Sequence, residues 1–149
     1  MLDKNGREMR TGDVVRISGA YFKNDNGLYF VENSAGDPNW CGSDHSLKKI
    51  SKKGKISVAK HNICFWPIGI FVNDRMKRAE ANEHNRKFAE IEIVDDIDRT
   101  EIAKHFEEKA DNLVKYIERE KWDYGEDSIY VKKQEAIREH YLNVAKYCS

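Results

Sequence analysis

The chain reads as an α+β fold: an N-terminal antiparallel β-barrel or curled sheet, followed by a C-terminal α-helical hairpin. Three observations predict it. Short β-branched and aromatic runs alternate with turn residues through the first half. Apolar residues recur at helical spacing through the last third. At 149 residues the chain has the size of one domain with one core. The expected division is a strand-rich region over 1–94, carrying one polar helix at about 74–87, and an acidic helical hairpin over 95–149 packed on it.

The elements follow in order. Gly12-Asp13 is a turn signal that opens the β-branched run Val14-Val15-Arg16-Ile17. Ala20-Tyr21-Phe22, then Lys23-Asn24-Asp25-Asn26-Gly27, then Leu28-Tyr29-Phe30-Val31 predicts a hairpin, because Asn and Gly tolerate the positive φ of tight turns. A turn-rich stretch, 34–42, leads to short apolar pulses at Leu47 and Ile50, Ile56 and Val58, and Ile63 to Val72. Asn73-Asp74 caps the polar helix. Ile91 and Ile93 alternate with Glu90 and Glu92 as a further strand. Asp98 or Thr100 caps a helix striped by Ile102, Phe106, Ala110, Leu113 and Ile117. Trp122-Asp123-Tyr124-Gly125 ends it, and Tyr130, Ile137, Tyr141, Val144 and Cys148 predict a second stripe. The two helices should pack as a hairpin.

Composition narrows the classes. Charged residues make up 35% and mean hydropathy is -0.80, yet 40% of residues are hydrophobic and 11% aromatic, enough for a core. No apolar run approaches the roughly 18 residues of a membrane helix, and the start lacks a signal-peptide core, so a cytoplasmic protein is expected. Three cysteines, odd in number and far apart, predict free thiols. Net charge is zero, but 1–94 carry 16 basic against 12 acidic groups and 95–149 carry 10 against 14. Such an asymmetry orients a molecule in a partner's field or holds its two halves together.

Four sets of residues have the chemistry of sites. Cys41 and His45, with His61 and Cys64, supply the ligand types and number that zinc takes, although their spacing fits no familiar finger; the plainer reading is a core cysteine and surface histidines. Lys48, Lys49, Lys52, Lys53, Lys55 and Lys60 run without an intervening acid near Trp40 and Phe65-Trp66, the pattern of a single-stranded nucleic-acid surface or of a guarded strand edge. Arg75 and Arg78 on the polar helix, with those aromatics, would suit a nucleotide. Asp95, Asp96, Asp98, Glu101, Glu107, Glu108 and Asp111 form an acidic set suited to a basic protein groove. No P-loop, G-x-S-x-G, H-E-x-x-H or dinucleotide fingerprint is present, and no nucleophile, base and orienting group pair up, so an enzyme is the last reading and no cofactor is implied.

The opening run Gly12 to Ile17, the hairpin and the following pulses resemble SH3-like small barrels over residues 7 to about 72. The stretch Ala20 to Val31, with Gly36-Asp37-Pro38 and Trp40-Cys41-Gly42, is similar to proteins encoded by phages and mobile elements of gut Firmicutes. That resemblance implies an accessory protein that inhibits host defence, for example a CRISPR nuclease, or that sequesters a signalling nucleotide. The first functional expectation is therefore a non-catalytic protein-binding module using the acidic set, ahead of nucleic-acid binding through the lysine loop and of nucleotide sequestration. A homodimer is a further expectation, since an amphipathic hairpin on a small sheet has apolar surface to hide.

Overall fold

The computed structural model describes residues 3–19, 23–33, 46–51, 63–64 and 90–149. Five strands, β1 (Val14–Ser18), β2 (Gly27–Asn33), β3 (Ser46–Ile50), β4 (Ile63–Cys64) and β5 (Glu90–Ile93), form one antiparallel sheet in the order β4-β3-β2-β1-β5. Among the described residues the sheet is open, with β4 and β5 at its edges, so the expected antiparallel sheet is there without the closure of a barrel. Two helices follow, α1 (Thr100–Tyr124) and α2 (Ile129–Cys148), and the chain is α+β. The polar helix expected at 74–87 lies outside the described residues.

β1 lies between β2 and β5. Val15 stands opposite Tyr29 on one side and Ile93 on the other, so its β-branched side chains are packed between two neighbours. Both faces of the sheet contribute buried residues, yet Arg16 and Ser18 of β1 are exposed and Glu90 and Glu92 of β5 are half-buried, so burial is complete on one face and partial on the other. One face gathers Met9, Val15, Ile17, Tyr29, Val31, Leu47, Ile91 and Ile93. The other presents Val14, Phe30, Ile50 and Val94 to the helices.

The hairpin differs from its expected first arm. β2 pairs with Val14–Ser18, Ile17 facing Gly27, and the Lys23–Asp25 segment is a single 3₁₀ turn in the connection. Residues 20–22 of the expected first arm lie outside the described residues; Val14, Val15 and Ile17 of β1 are buried beside β2. Tyr29 closes the connection by donating its hydroxyl to the Asp25 carbonyl at 2.7 Å.

Residues 3–7 fold back on β5. The carboxylate of buried Asp3 accepts the amides of Asn5, Arg7 and Ile93, each at 2.9 Å, and the Lys4 amide donates to the Ile91 carbonyl at 2.8 Å.

α1 starts where an Asp can take an orphan amide: Asp98 Oδ1 accepts from the Thr100 amide at 2.9 Å and from its hydroxyl. It ends at Gly125, whose φ of 86° suits a residue without a side chain and whose amide donates to the Lys121 carbonyl. Ile102, Phe106, Ala110 and Ile117 are buried as the stripe predicts. Ser128 caps α2 by accepting the Tyr130 amide.

On α2 the stripe needs one correction. Val131 is buried and Tyr130 is exposed, while Val144, Ala145 and Cys148 meet the sheet. Val131 stands two heptads before Ala145, and an α-helix drifts about 20° per heptad, so the face that meets α1 is rotated from the face that meets the sheet.

The helices reach beyond the sheet. Ile102, Ala103 and Phe106 from the start of α1, and Val144, Ala145 and Cys148 from the end of α2, share the core with the strands. At 25 residues α1 runs about 37 Å, so its second half has α2 as its packing partner among the described residues. Lys121 and Glu135, 3.1 Å apart, tie the two helices there. No described helix is long and apolar enough to cross a membrane.

Candidate functional site

The acidic set divides into residues with structural work and residues without. Asp95 is held by Arg7 through two contacts, 2.6 and 2.9 Å, and the guanidinium keeps its carboxyl below the usual range. Asp98 stands one residue before the N-cap, Arg99, and accepts the Thr100 amide and hydroxyl, the hydroxyl being the first cause that lowers its carboxyl. Glu101 lies 3.5 Å from Lys104 one turn on. Asp96, Glu107, Glu108 and Asp111 are exposed, and no ion pair within 4.0 Å involves them among the described residues. At roughly 100° per residue, Glu108 and Asp111 fall on the side of α1 away from Ile102, Phe106 and Ala110, and Glu107 falls on its flank. The helix that packs on the sheet therefore offers its carboxylates outward.

The lysine loop is only partly described, and its two described members are engaged inside the protein. Lys48 Nζ lies 3.0 Å from Glu32 Oε2. Lys49 Nζ donates to the Asn24 carbonyl at 2.6 Å and stands over the Tyr29 ring. Lys52, Lys53, Lys55, Trp40, Trp66, Arg75 and Arg78 lie outside the described residues, as do Cys41, His45 and His61 of the candidate zinc set; Cys64 is placed in β4 by its backbone. Among the described residues, no three His, Cys, Asp or Glu side chains gather as metal ligands do.

Glu32 is a polar centre that local sequence pattern does not reveal. It lies where the β2–β3 register shifts, a place where bulges re-aim side chains, and only 5% of it is exposed. Lys109 of α1 hydrogen-bonds its Oε1, Lys48 of β3 pairs with Oε2, and His105 Nε2 stands 3.6 Å from Oε1. That last distance is ion-pair range but too long for a hydrogen bond. Burial pushes the carboxyl up; His105, Lys109 and Lys48 outweigh it and hold it at about 2. At neutral pH Glu32 is a fixed anion that fastens α1 to β2 and β3, not a proton donor. Its signal in sequence is a single acid closing an apolar strand.

A second polar junction fastens the same sheet-bound end of the hairpin. Tyr147 donates its hydroxyl to Asp13 Oδ1 at 2.6 Å, Arg99 lies 3.7 Å from the same oxygen, and the Arg99 guanidinium stacks 4.7 Å from the Tyr147 ring centroid. Asp13 also accepts the Arg10 amide. These contacts join the turn before β1 to both helices.

The tip of the hairpin is the other feature not foreseen, since Trp122 to Gly125 reads as a helix end. Trp122 is 90% exposed, Ile129 75%, Tyr124 63% and Tyr130 58%. The Tyr124 and Tyr130 rings stand 5.6 Å apart across the turn. Asp123, Glu126 and Asp127 are exposed beside them. Comparison with family models, curated proteins and solved structures finds no match to this chain.

Proposed function

We propose that this chain is a non-catalytic protein-binding module that presents its helical hairpin to a larger protein in the cytoplasm of a bacterial host. The observation that carries the reading is the set Glu107, Glu108 and Asp111, exposed on the flank and outer side of α1 and without ion-pair partners among the described residues. Fixed like charges on a rigid, doubly fastened helix favour a basic surface by steering encounter and setting orientation. The resemblance to phage and mobile-element proteins makes a host-defence nuclease, whose nucleic-acid groove is basic, the first partner class to test. The nucleic-acid reading is weaker, because Lys48 and Lys49 already have partners within the protein.

The test is affinity capture from a Firmicutes lysate, with and without nuclease, by the wild type and by Glu107→Lys/Glu108→Lys/Asp111→Lys. A stoichiometric protein that survives nuclease and is lost with the reversed charges is the expected result. Recovery of nucleic acid alone, or equal capture by the variant, overturns the reading.

A further inference from the structure

We infer that the hairpin tip is a second docking point, built to take an arginine-bearing apolar segment of a protein. The inference deepens the protein-binding reading but rests on a surface distinct from the acidic face of α1. Between residues 122 and 130 the chain places Trp122, Tyr124, Ile129 and Tyr130 at the surface, all more than half exposed. Large aromatics are the residues whose burial contributes most to interfaces, and they are the side chains a folded monomer normally keeps at least half covered. Packing does not require them there. The last buried residues before the tip are Ile117 on α1 and Val131 on α2, and the turn itself is set by Gly125 and by the Ser128 cap.

Charge selects the occupant. The same segment carries Asp123, Glu126 and Asp127 and neither lysine nor arginine, and the adjoining Lys121 is already paired with Glu135. Three carboxylates beside exposed indole and phenol rings match a guanidinium, which stacks on an aromatic face while donating to carboxylates in its plane. The apolar neighbour of that arginine would cover Trp122 and Ile129. Those carboxylates repel the phosphates of nucleic acid and of anionic lipid, and they repel a second copy of the tip.

The experiment selects a random-peptide display library on the immobilised full-length chain, with counter-selection on Trp122→Ala/Tyr130→Ala. Both substitutions fall on exposed side chains, so unchanged circular dichroism is expected and checks that the variant folds. Enrichment of sequences with arginine beside an apolar residue is the expected result, with a selected synthetic peptide bound at least about tenfold more weakly by Trp122→Ala and more weakly at higher salt. No enrichment above the variant's background, enrichment of uncharged or acidic sequences, or unchanged binding by Trp122→Ala overturns the inference. So does light scattering that shows a dimer abolished by Trp122→Ala, since a second copy would then cover the tip. The variant with Glu107, Glu108 and Asp111 reversed should bind the peptide nearly as well as the wild type, so loss of the tip site and loss of the acidic-face partner are read separately.

Discussion

At the scale of single residues, two positions decide how firmly the hairpin sits on the sheet. Glu32 has a folded pKa of about 2 against an ordinary 4.5, so its contribution is complete above pH 4.5 and is lost as pH falls through about 2. A shift of that size corresponds to something on the order of 3 kcal/mol. Glu32→Gln leaves Lys48 and Lys109 without a counter-charge, and denaturant titration should show a loss of about 3 kcal/mol at neutral pH. The gap from wild type should narrow steadily below pH 4.5; a gap that stays constant with pH would mean the carboxylate's charge is not what matters. Gly12 is the second position. Its φ is +96°, and a Cβ there would stand 2.6 Å from Cys148 Sγ and 3.1 Å from Val144 Cγ1. Gly12→Ala should therefore cost about 2 kcal/mol, part backbone strain and part collision. Adding Cys148→Ala should return only the collision part in the same titration.

At the scale of elements, legibility followed the strength of local pattern. β1, β5 and α1 could be read because β-branched runs, strict alternation and a 3.6-residue stripe each state one period without competition. The pairing of β2 with β1 could not, because which run lies beside Leu28 to Val31 is set by cross-strand register and not by local pattern. Tyr130 was misplaced for a related reason: the helix changes packing partner along its length, and a single stripe extrapolated from Val144 and Cys148 cannot anticipate the rotation that buries Val131. Of the acidic set, the ion pair with Arg7 depends on a contact between residues as distant as 7 and 95, which local reading does not supply. The tip was written in the sequence as aromatics flanking Gly125-Glu126-Asp127-Ser128, but a turn signal and a docking signal use the same residue types there. Glu32 was legible only as an oddity, since the lysines and histidine that justify it come from other elements.

At the scale of the whole molecule, the hairpin has a held half and a reaching half. The start of α1 and the end of α2 share a core with the sheet and are fastened by Glu32 and Asp13, whereas the stretch between Ile117 and Val131 is held by one neighbouring helix among the described residues. Amide hydrogen exchange followed by mass spectrometry should find the strongest helical protection over 102–110 and 144–148 and weaker protection over 118–132, because helix ends packed on one side only open more readily. Uniform protection along both helices would show that the reaching half is not a separate unit of stability. Such a division suits a module whose far end must adapt to a partner while its near end stays fixed. The turn at residues 3–7 has a consequence of another kind. By filling the outward-facing hydrogen-bond positions of Ile91 and Ile93 with Lys4 and the Asp3 carboxylate, it leaves that border of the sheet with no template on which a foreign strand could continue the ladder. At Ile91 and Ile93 the sheet is thereby guarded against fibril-like growth by addition of a further strand.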